Sequence, residues 1–488
     1  MKLTNLIKAL RVYRTTKSIE HIDVTGLEMD SRAVQRGNVF ICINGYTVDG
    51  HDFAKQAEEK GATAIVAERP LPVSIPVIIV NDSQRAMSKL ANHYFNNPTQ
   101  QFRLIGVTGT NGKTTTSYLI DSIFQTSQQQ TGLIGTIQMK IGNEEYEVKN
   151  TTPDSLFLQK NFAKMAEQKV DTAVMEVSSH ALDLGRVHGC DFDVAVFTNL
   201  SQDHLDFHKD MDDYLRAKSL LFSQLGNAYK SNVKYAVLNQ DDPHYTSLMK
   251  STAQEVITYG IDSHADITAQ QLYVTAQGTT FMLTTPDGEI EVKSSLIGRF
   301  SVYNMLAAAS AAWISGISLE TIKQAFENTP GVSGRFEPIL SGQDFGVIVD
   351  YAHTPDSLEN VLQTIKSFAT KRIFVVVGCG GDRDKKKRPL MAQVAVKYAD
   401  QAIFTSDNPR SEDPASIIAD MEAGVEEGSY IVIQDRKEAI HKAIEQADSS
   451  DVVLIAGKGH ETYQEINGQT LHFDDREVAR ESILAHNQ

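Results

Sequence analysis

The sequence predicts an α/β protein of three domains, each built around strands followed by helices. Short β-branched apolar runs alternate with helical patterns along the chain, an order that builds mostly parallel sheets wrapped by helices. Many of those runs end in loops rich in Gly, Asp or Asn, as strands do at the carboxyl edge of an open sheet. The length of 488 residues exceeds what one core organises and suggests about three domains.

The first block, residues 1–98, alternates the strands "NVFICING", "TAIVAE" and "PVSIPVIIV" with the helical stretches "DFAKQAEEKG" and "AMSKLANHYF", giving a small α/β domain. Ahead of them, Leu3, Leu6, Ile7 and Leu10 stand at helical spacing, and Lys8 and Arg11 interrupt any apolar run of signal-peptide length. The polar "FNNPTQQF", with Pro98, reads as a linker. The second block, 99–332, opens on "VTGTNGKTTTSYLI" and continues through "TAVMEV", "VAVFTNL" and "YAVLN", a mostly parallel sheet. From Ile257 to Val292 the pattern alternates and predicts an antiparallel addition. "NMLAAASAAWISGI" (Asn304–Ile317) is the most apolar helix candidate and is too short to span a bilayer. "NTPGVSGRFE", with Pro330, Gly331 and Gly334, marks the next boundary. The third block, 333–488, repeats one grammar: "GVIVDYAHTPDS", "IFVVVGCGGDRD", "AIFTSDNPR" and "VVLIAGKGHE" are each an apolar run ending in a polar loop. Such loops gather where ligands bind in parallel sheets.

The formal charge of -16 argues against non-specific binding to nucleic acid or anionic membrane, which needs a basic face. It leaves room for a local basic pocket. Cys42, Cys190 and Cys379 are too few and too widely spaced for a disulfide framework or a zinc cluster. The expectation is a cytoplasmic protein with no membrane insertion.

The candidate chemistry begins at Gly109-Thr110-Asn111-Gly112-Lys113-Thr114-Thr115. Small residues there let backbone N–H groups approach phosphate oxygens, Lys113 would reach the β- and γ-phosphates, and Thr114 would ligate Mg²⁺. Val107 stands where the strict phosphate-loop pattern has Gly, so the match is to a shortened variant. The alternative is a glycine turn capping a helix, but the strand before and the Lys-Thr pair after favour a nucleoside triphosphate. Two later strands end in "MEVSSH" and "TNLSQDHLDFH". Glu176 is placed to bind Mg²⁺, and His204, His208, Asp203 and Asp206 form either a metal site or a solvated polar turn. Magnesium prefers oxygen, which makes a histidine ligand unusual. In "YLRAKSLLF", Lys218 shares a helix face with Tyr214, Leu215, Leu221 and Phe222. It is either a snorkelling lysine or a buried amine of lowered pKa, which as the neutral base adds carbon dioxide to become an anionic, metal-binding carbamate.

The motifs "GTNGKTT", "MEVSSH", "TNLSQDHLDFH", "AKSLLF", "YNMLAAA", "GRFE" and "DYAHTPDS" occur in the order found in Mur ligases. The chain resembles that family over essentially its full length. "LEMDSRAV", "NTTPD" and "GCGGDRDKKKRP…DNPR…GKGHE" narrow the resemblance to members adding the third residue of the peptidoglycan stem. The resemblance implies an N-terminal UDP-binding domain (1–98), a central P-loop ATPase domain (99–332) and a C-terminal Rossmann-like domain for the incoming amino acid (333–488). It places Ser31 near the uridine, and Asn150, Thr151, Thr152, Ser178 and Arg186 on the muramoyl dipeptide. Asn304 matches an adenine contact, and Arg335, Asp350 and His353 match partners of the nucleotide. Lys218 matches the family's carbamylated lysine, so that Thr114, Glu176, His204 and the carbamate would surround magnesium. Two departures stand out: Ser301 replaces a frequent Asn, and Leu184 replaces a glutamine that contacts substrate in some relatives.

The activity implied is ATP-dependent joining of meso-diaminopimelate to UDP-N-acetylmuramoyl-L-alanyl-D-glutamate through an acyl phosphate, by a monomer. Lys113, Arg335 and magnesium would neutralise the transferring phosphoryl group, and His353 is a candidate base. Asp407-Asn408-Pro409-Arg410 is by itself an ordinary turn; in the family context it matches the diaminopimelate motif, with Arg383, Gly457 and Glu461 as further contacts. Arg410 would grip the distal carboxylate, a group lysine lacks. Left buried without it, the arginine would cost roughly 2–5 kcal/mol, about thirty-fold to a few thousand-fold in selectivity. The rivals are a lysine-adding homologue, a folylpolyglutamate synthase and a non-catalytic P-loop binding module.

Overall fold

The computed structural model describes residues 1–488 except 46–47, 149, 206, 228–232, 276–277, 330 and 487–488. Pro330 and Asp206 therefore lie outside the described residues. The chain divides into two compact units, Met1–Tyr259 with Ser310–Ile317 and Gly260–Ala309 with Ser318–Gln488.

The first unit holds two sheets. One orders its strands Arg14–Thr15, Val77–Ile79, Ala64–Ala67, Asn38–Ile41 and Gly26–Glu28, all parallel except the first pairing. Parallel strands are covered on both faces and read as continuous apolar runs. Accordingly Val39, Ile41, Ala64, Val66 and Ile78 face one core, which also takes Leu3, Leu6, Ile7 and Leu10. Phe40, Cys42, Ile65, Ala67 and Val77 face the other. The helical spacing at the N-terminus is borne out as a short α-helix, Leu3–Leu6, tightening into a 3₁₀ turn at Ile7–Ala9.

In the other sheet of this unit, Arg103–Thr108 lies between Thr172–Glu176 and Val194–Phe197. Outside these run Tyr235–Asn239 and Glu255–Gly260 on one side and Thr131–Ile134 on the other, all parallel. An antiparallel pair, Met139–Ile141 and Glu144–Tyr146, finishes that edge. Register sets Glu176 opposite Val107 and Phe197 opposite Thr108. The phosphate-loop strand therefore ends level with its two neighbours, and their following loops converge.

In the second unit, Ile267–Thr275, Gly278–Thr285 and Gly288–Ser294 form an antiparallel meander. The antiparallel addition thus starts later than expected, because Glu255–Gly260 joins the parallel set instead. The unit's main sheet orders Glu337–Pro338, Gly346–Asp350, Val452–Ala456, Ile373–Cys379, Gln401–Ser406 and Tyr430–Val432, parallel after the first. Cores cover both faces, with Val375, Val377, Leu454 and Phe404 on one side and Phe374, Val376, Val453 and Ile403 on the other. The stretch from Asn304 falls mostly in the Arg299–Trp313 helix. Among the described residues no helix is long and apolar enough to cross a membrane.

Candidate active site

The phosphate loop sits at the carboxyl end of Arg103–Thr108 and opens the Lys113–Thr126 helix. Gly109 (φ +150°) and Gly112 (φ +84°) hold its turns. A Cβ on Gly109 would lie 1.8 Å from Thr198 Oγ1, so only glycine lets the two loops meet. Thr198 Oγ1 donates to Asn111 O at 2.7 Å, and Asn111 N–H donates to Asn199 Oδ1 at 3.0 Å. Lys113 Nζ donates to Gly109 O (3.0 Å) and Thr110 O (2.8 Å), within its own loop. Thr115 follows, half-buried, in the first helical turn.

Glu176 is fully buried where its strand ends. Its Oε2 accepts from Thr114 Oγ1 and from Thr136 Oγ1, each at 3.0 Å, and its Oε1 accepts from Thr136 N–H at 2.8 Å. Lys218 does not snorkel. It is 1% exposed, its Nζ donates to Gly109 O at 2.8 Å, and it lies 4.4 Å from the Tyr214 ring centroid. Two lysine amines thus share one carbonyl oxygen. Burial, reinforced by the charge of Lys113 and opposed by Asp203, holds the Lys218 pKa well below the ordinary lysine value. His204 packs edge-on against His180 at 4.8 Å and lies 3.4 Å from Asp203. Burial lowers its pKa to about 4, against the pull of Asp203 and with help from His180, Lys113 and Lys218. His208 is buried, with Nε2 at 2.9 Å from Ser179 Oγ, and serves packing.

Among the described residues no three His, Cys, Asp or Glu side chains cluster as a metal site. A carboxylate and a hydroxyl already in contact, Glu176 and Thr114, nevertheless fit magnesium, which takes few protein oxygens and completes its shell with phosphates and water.

Thr152 joins this centre to the next group. Its Oγ1 donates to Glu176 O (2.8 Å) and accepts from Ser178 N–H (3.0 Å), while Arg186 donates to Thr152 O (3.0 Å). Thr151 Oγ1 lies 3.1 Å from Thr136 Oγ1. Ser178 caps the short Ser179–Asp183 helix, and Asn150 is exposed beside Thr151. Ser31 stands on the smaller sheet's side, donating to Gln56 Oε1 at 2.7 Å.

In the second unit the strand ends carry two clusters. Asp350 accepts from Phe336 N–H at 2.7 Å, and burial, opposed by Arg335, pushes its pKa up to about 6. Arg335 lies 4.6 Å from the Tyr351 ring centroid, and His353 Nδ1 is 2.9 Å from Tyr351 O. Asn304 is buried in its helix. The second cluster surrounds the 407–410 turn. A Cβ on Gly457 would come 2.8 Å from Asp407 Oδ2. Asn408 donates to Glu461 Oε2 at 2.9 Å, and burial raises the Glu461 pKa while Lys458 opposes the rise. Arg410 adopts φ +52° just after Pro409. It donates to Gly381 O at 2.8 Å and pairs with Glu465 at 3.0 Å, its side chain 24% exposed. Arg383 is exposed and donates to Asp382 O.

Family comparisons align with this geometry. The Mur ligase family catalytic domain matches residues 23–95, the Mur ligase middle domain 107–312, and the Mur ligase glutamate ligase domain 334–459. The chain belongs to the Mur ligase family. A Bacillus cereus UDP-N-acetylmuramoyl-L-alanyl-D-glutamate–2,6-diaminopimelate ligase is 58% identical over 99% of this chain and 98% of its own. A Listeria monocytogenes protein of the same name is 56% identical over 99% of each chain. A solved structure of a ligase of that name superposes with a TM-score of 0.72 at 36% identity, covering 99% of both chains.

Read as a Mur ligase, the molecule brings Thr114, Glu176, Thr151, Thr152, Ser178 and Arg186 into one bonded network, and joins Lys113 and Lys218 through Gly109. It does not link Ser31 or Arg383 to those groups by any bond described. Thr136, Thr198, Asn199, Tyr214 and Lys458 escape sequence reasoning. The "GTI" and "TNL" threonines carry no periodic or charge signal, because their roles arise only where loops meet. By its spacing Tyr214 is only part of an apolar helix face, yet its hydroxyl lies 3.2 Å from Thr110 Oγ1. Arg410 is not waiting unpaired, since Glu465 already partners it at 3.0 Å.

Proposed function

We propose that this chain is an ATP-dependent amide ligase that joins meso-diaminopimelate to the γ-carboxylate of D-glutamate in UDP-N-acetylmuramoyl-L-alanyl-D-glutamate, in the cytoplasm. The observation that carries the reading is the pairing, in one chain, of a phosphate loop bonded to a buried carboxylate centre with a pocket offering Arg410 and Glu461 together. Such a pocket complements an amino acid whose far end bears both a carboxylate and an ammonium. Residues 1–98, 99–332 and 333–488 would serve the UDP sugar, ATP and the amino acid in turn.

A carboxylate does not condense with an amine at neutral pH, because its oxygen leaves poorly. The γ-carboxylate oxygen attacks the γ-phosphorus, the bond to the β-phosphate oxygen breaks, and ADP departs from an acyl phosphate. The amino-acid amine then attacks the acyl carbon and phosphate leaves. Backbone N–H groups from Gly109 to Thr114 and the following helix terminus cradle the phosphates, and Lys113 neutralises the transferring group. Thr152, Ser178 and Arg186 orient the dipeptide, while Ser31 serves the uridine and Asn304, Arg335 and Asp350 the nucleotide. Magnesium, held by Thr114, Glu176, His204 and a Lys218 carbamate, would supply charge neutralisation on the phosphates. Lys218, as a neutral amine, adds carbon dioxide and releases one proton. His353, whose Nδ1 lies 2.9 Å from Tyr351 O, would be the base that takes the amine's proton.

Phosphate release from ATP and Mg²⁺ with the UDP-dipeptide, comparing meso-diaminopimelate with L-lysine, tests the reading. Release that requires diaminopimelate, with the tripeptide identified by mass, is expected. Preference for lysine would retain the ligase and overturn the role given to Arg410. No acceptor-dependent release would overturn the ligase.

A further inference from the structure

Lys458 is 0% exposed, and no step of the ligation uses it. Its Nζ donates to Asn408 Oδ1 at 3.0 Å and to Glu461 Oε2 at 3.1 Å, and lies 5.5 Å from the Tyr463 ring centroid. Asn408 Oδ1 takes a second bond from Glu465 N–H at 3.0 Å, and its Nδ2 donates to Glu461 Oε2 at 2.9 Å. A primary amide has two ends of similar shape but opposite hydrogen-bonding sense. With an ammonium and an N–H both aimed at one end, that end must be oxygen. Turning the amide over would set its hydrogens against a buried cation. Lys458 and Asn408 likewise both hold Oε2 of Glu461, which fixes the carboxylate with Oε1 as the oxygen left for a ligand cation. The Glu465 side chain also pairs with Arg410 at 3.0 Å, so one short segment, 458–465, contacts Arg410 and carries Glu461.

We infer that Lys458 is a positioning residue that fixes which configuration of the distal stereocentre the pocket accepts. The inference rests on the proposed ligation. The distal carbon of a diaminopimelate carries a carboxylate, an ammonium, a hydrogen and the chain, and inverting it exchanges the directions of the two charged groups. Arg410 for the carboxylate and Glu461 Oε1 for the ammonium separate the isomers only while their relative direction is fixed. Lys458 supplies that constraint through the Asn408 amide and the Glu461 carboxylate.

The test measures kcat and KM for meso- and LL-diaminopimelate, ATP and the UDP-dipeptide in wild type, Lys458→Met, Asn408→Ala and the double variant. Lys458→Met should raise the KM for meso-diaminopimelate about ten-fold or more and lower the meso-to-LL ratio of kcat/KM by a similar factor. KM for ATP and the UDP-dipeptide should stay at wild-type values. In the Asn408→Ala background, Lys458→Met should change the isomer ratio little further, because the two act as one unit. If Lys458→Met does not fold, Lys458→Gln is read in the same assay. A wild-type isomer ratio in the folded variant, or full additivity with Asn408→Ala, would overturn the inference alone. Failure of both variants to fold would also overturn it, assigning Lys458 to the core. A wild type that turns over neither isomer would overturn the ligase reading and this inference with it.

Discussion

Lys218 and Lys113 donate to the same carbonyl oxygen, that of Gly109, and Lys218 is almost wholly buried. Protonating both would place like charges close together out of water, so the deeper amine is the one that gives up its proton. Lys218→Arg keeps a long basic side chain but cannot form a carbamate. It should fold and lose about a hundred-fold or more in kcat, the scale of removing one charge-stabilising group. Bicarbonate added to enzyme stripped of carbon dioxide should restore wild-type activity and leave the variant unchanged. Unchanged activity of Lys218→Arg would sink the carbamate. Asp350 offers a second residue-scale expectation. Its pKa rises from 3.8 to about 6 on burial, so the folded state binds the proton more tightly than the unfolded chain. The contribution of Asp350 to stability is then greatest below pH 4, falls as pH rises to about 6, and is flat above. Asp350→Asn keeps an oxygen for Phe336 N–H and does not titrate. Its stability relative to wild type should grow between pH 4 and 6 by at most about 3 kcal/mol, read as unfolding midpoints across that range. A pH-independent difference would contradict it.

Elements in the second unit are fastened at their strand ends by a buried ion pair. Arg436, at the start of the Arg436–Glu445 helix, pairs with Asp475 of the Asp475–His486 helix at 2.7 Å, both side chains 0% exposed. The same guanidinium donates to Ala456 O and Ser406 O, the ends of two strands whose following loops carry Asp407–Arg410 and Gly457–Glu461. Arg436→Met leaves Asp475 as an unpaired buried charge and should cost roughly 3–5 kcal/mol, whereas pairing it with Asp475→Leu should recover most of that loss. Urea unfolding of the single and double variants measures both. Equal destabilisation would show that the carbonyl bonds, not the pair, hold the strand ends. At this scale the sequence was readable wherever burial was two-sided: "VFIC" and "FVVV" are continuous apolar runs because parallel strands have no wet face. It misread the start of the Ile257–Val292 stretch, whose alternating pattern suits a meander but whose first residues belong to the Glu255–Gly260 strand, parallel to Tyr235–Asn239.

Across the whole molecule, ligand binding should report on the phosphate loop without any turnover. ATP with Mg²⁺ at a hundred times its dissociation constant should stabilise the protein by about 2.7 kcal/mol through mass action. Lys113→Ala should abolish most of that gain at the same ATP concentration, measured by thermal unfolding; an undiminished shift would remove Lys113 from the phosphate site. The amino-acid sequence by itself determined the α/β class, the phosphate loop and Glu176 as a candidate at a strand end, whereas Lys218 and Arg410 are singled out only through the resemblance to the Mur ligases. The class, the loop and Glu176 follow from local patterns, namely periodicity, glycine placement and charged residues at the ends of apolar runs. Only the tertiary structure decided whether Lys218 reaches water, which threonine holds Glu176, what already pairs with Arg410, and that Lys458 orients Asn408. Each of those depends on contacts between loops far apart in the chain. Burial and hydrogen-bond partnership are properties of the packed neighbourhood, and no local stretch of sequence contains its neighbours.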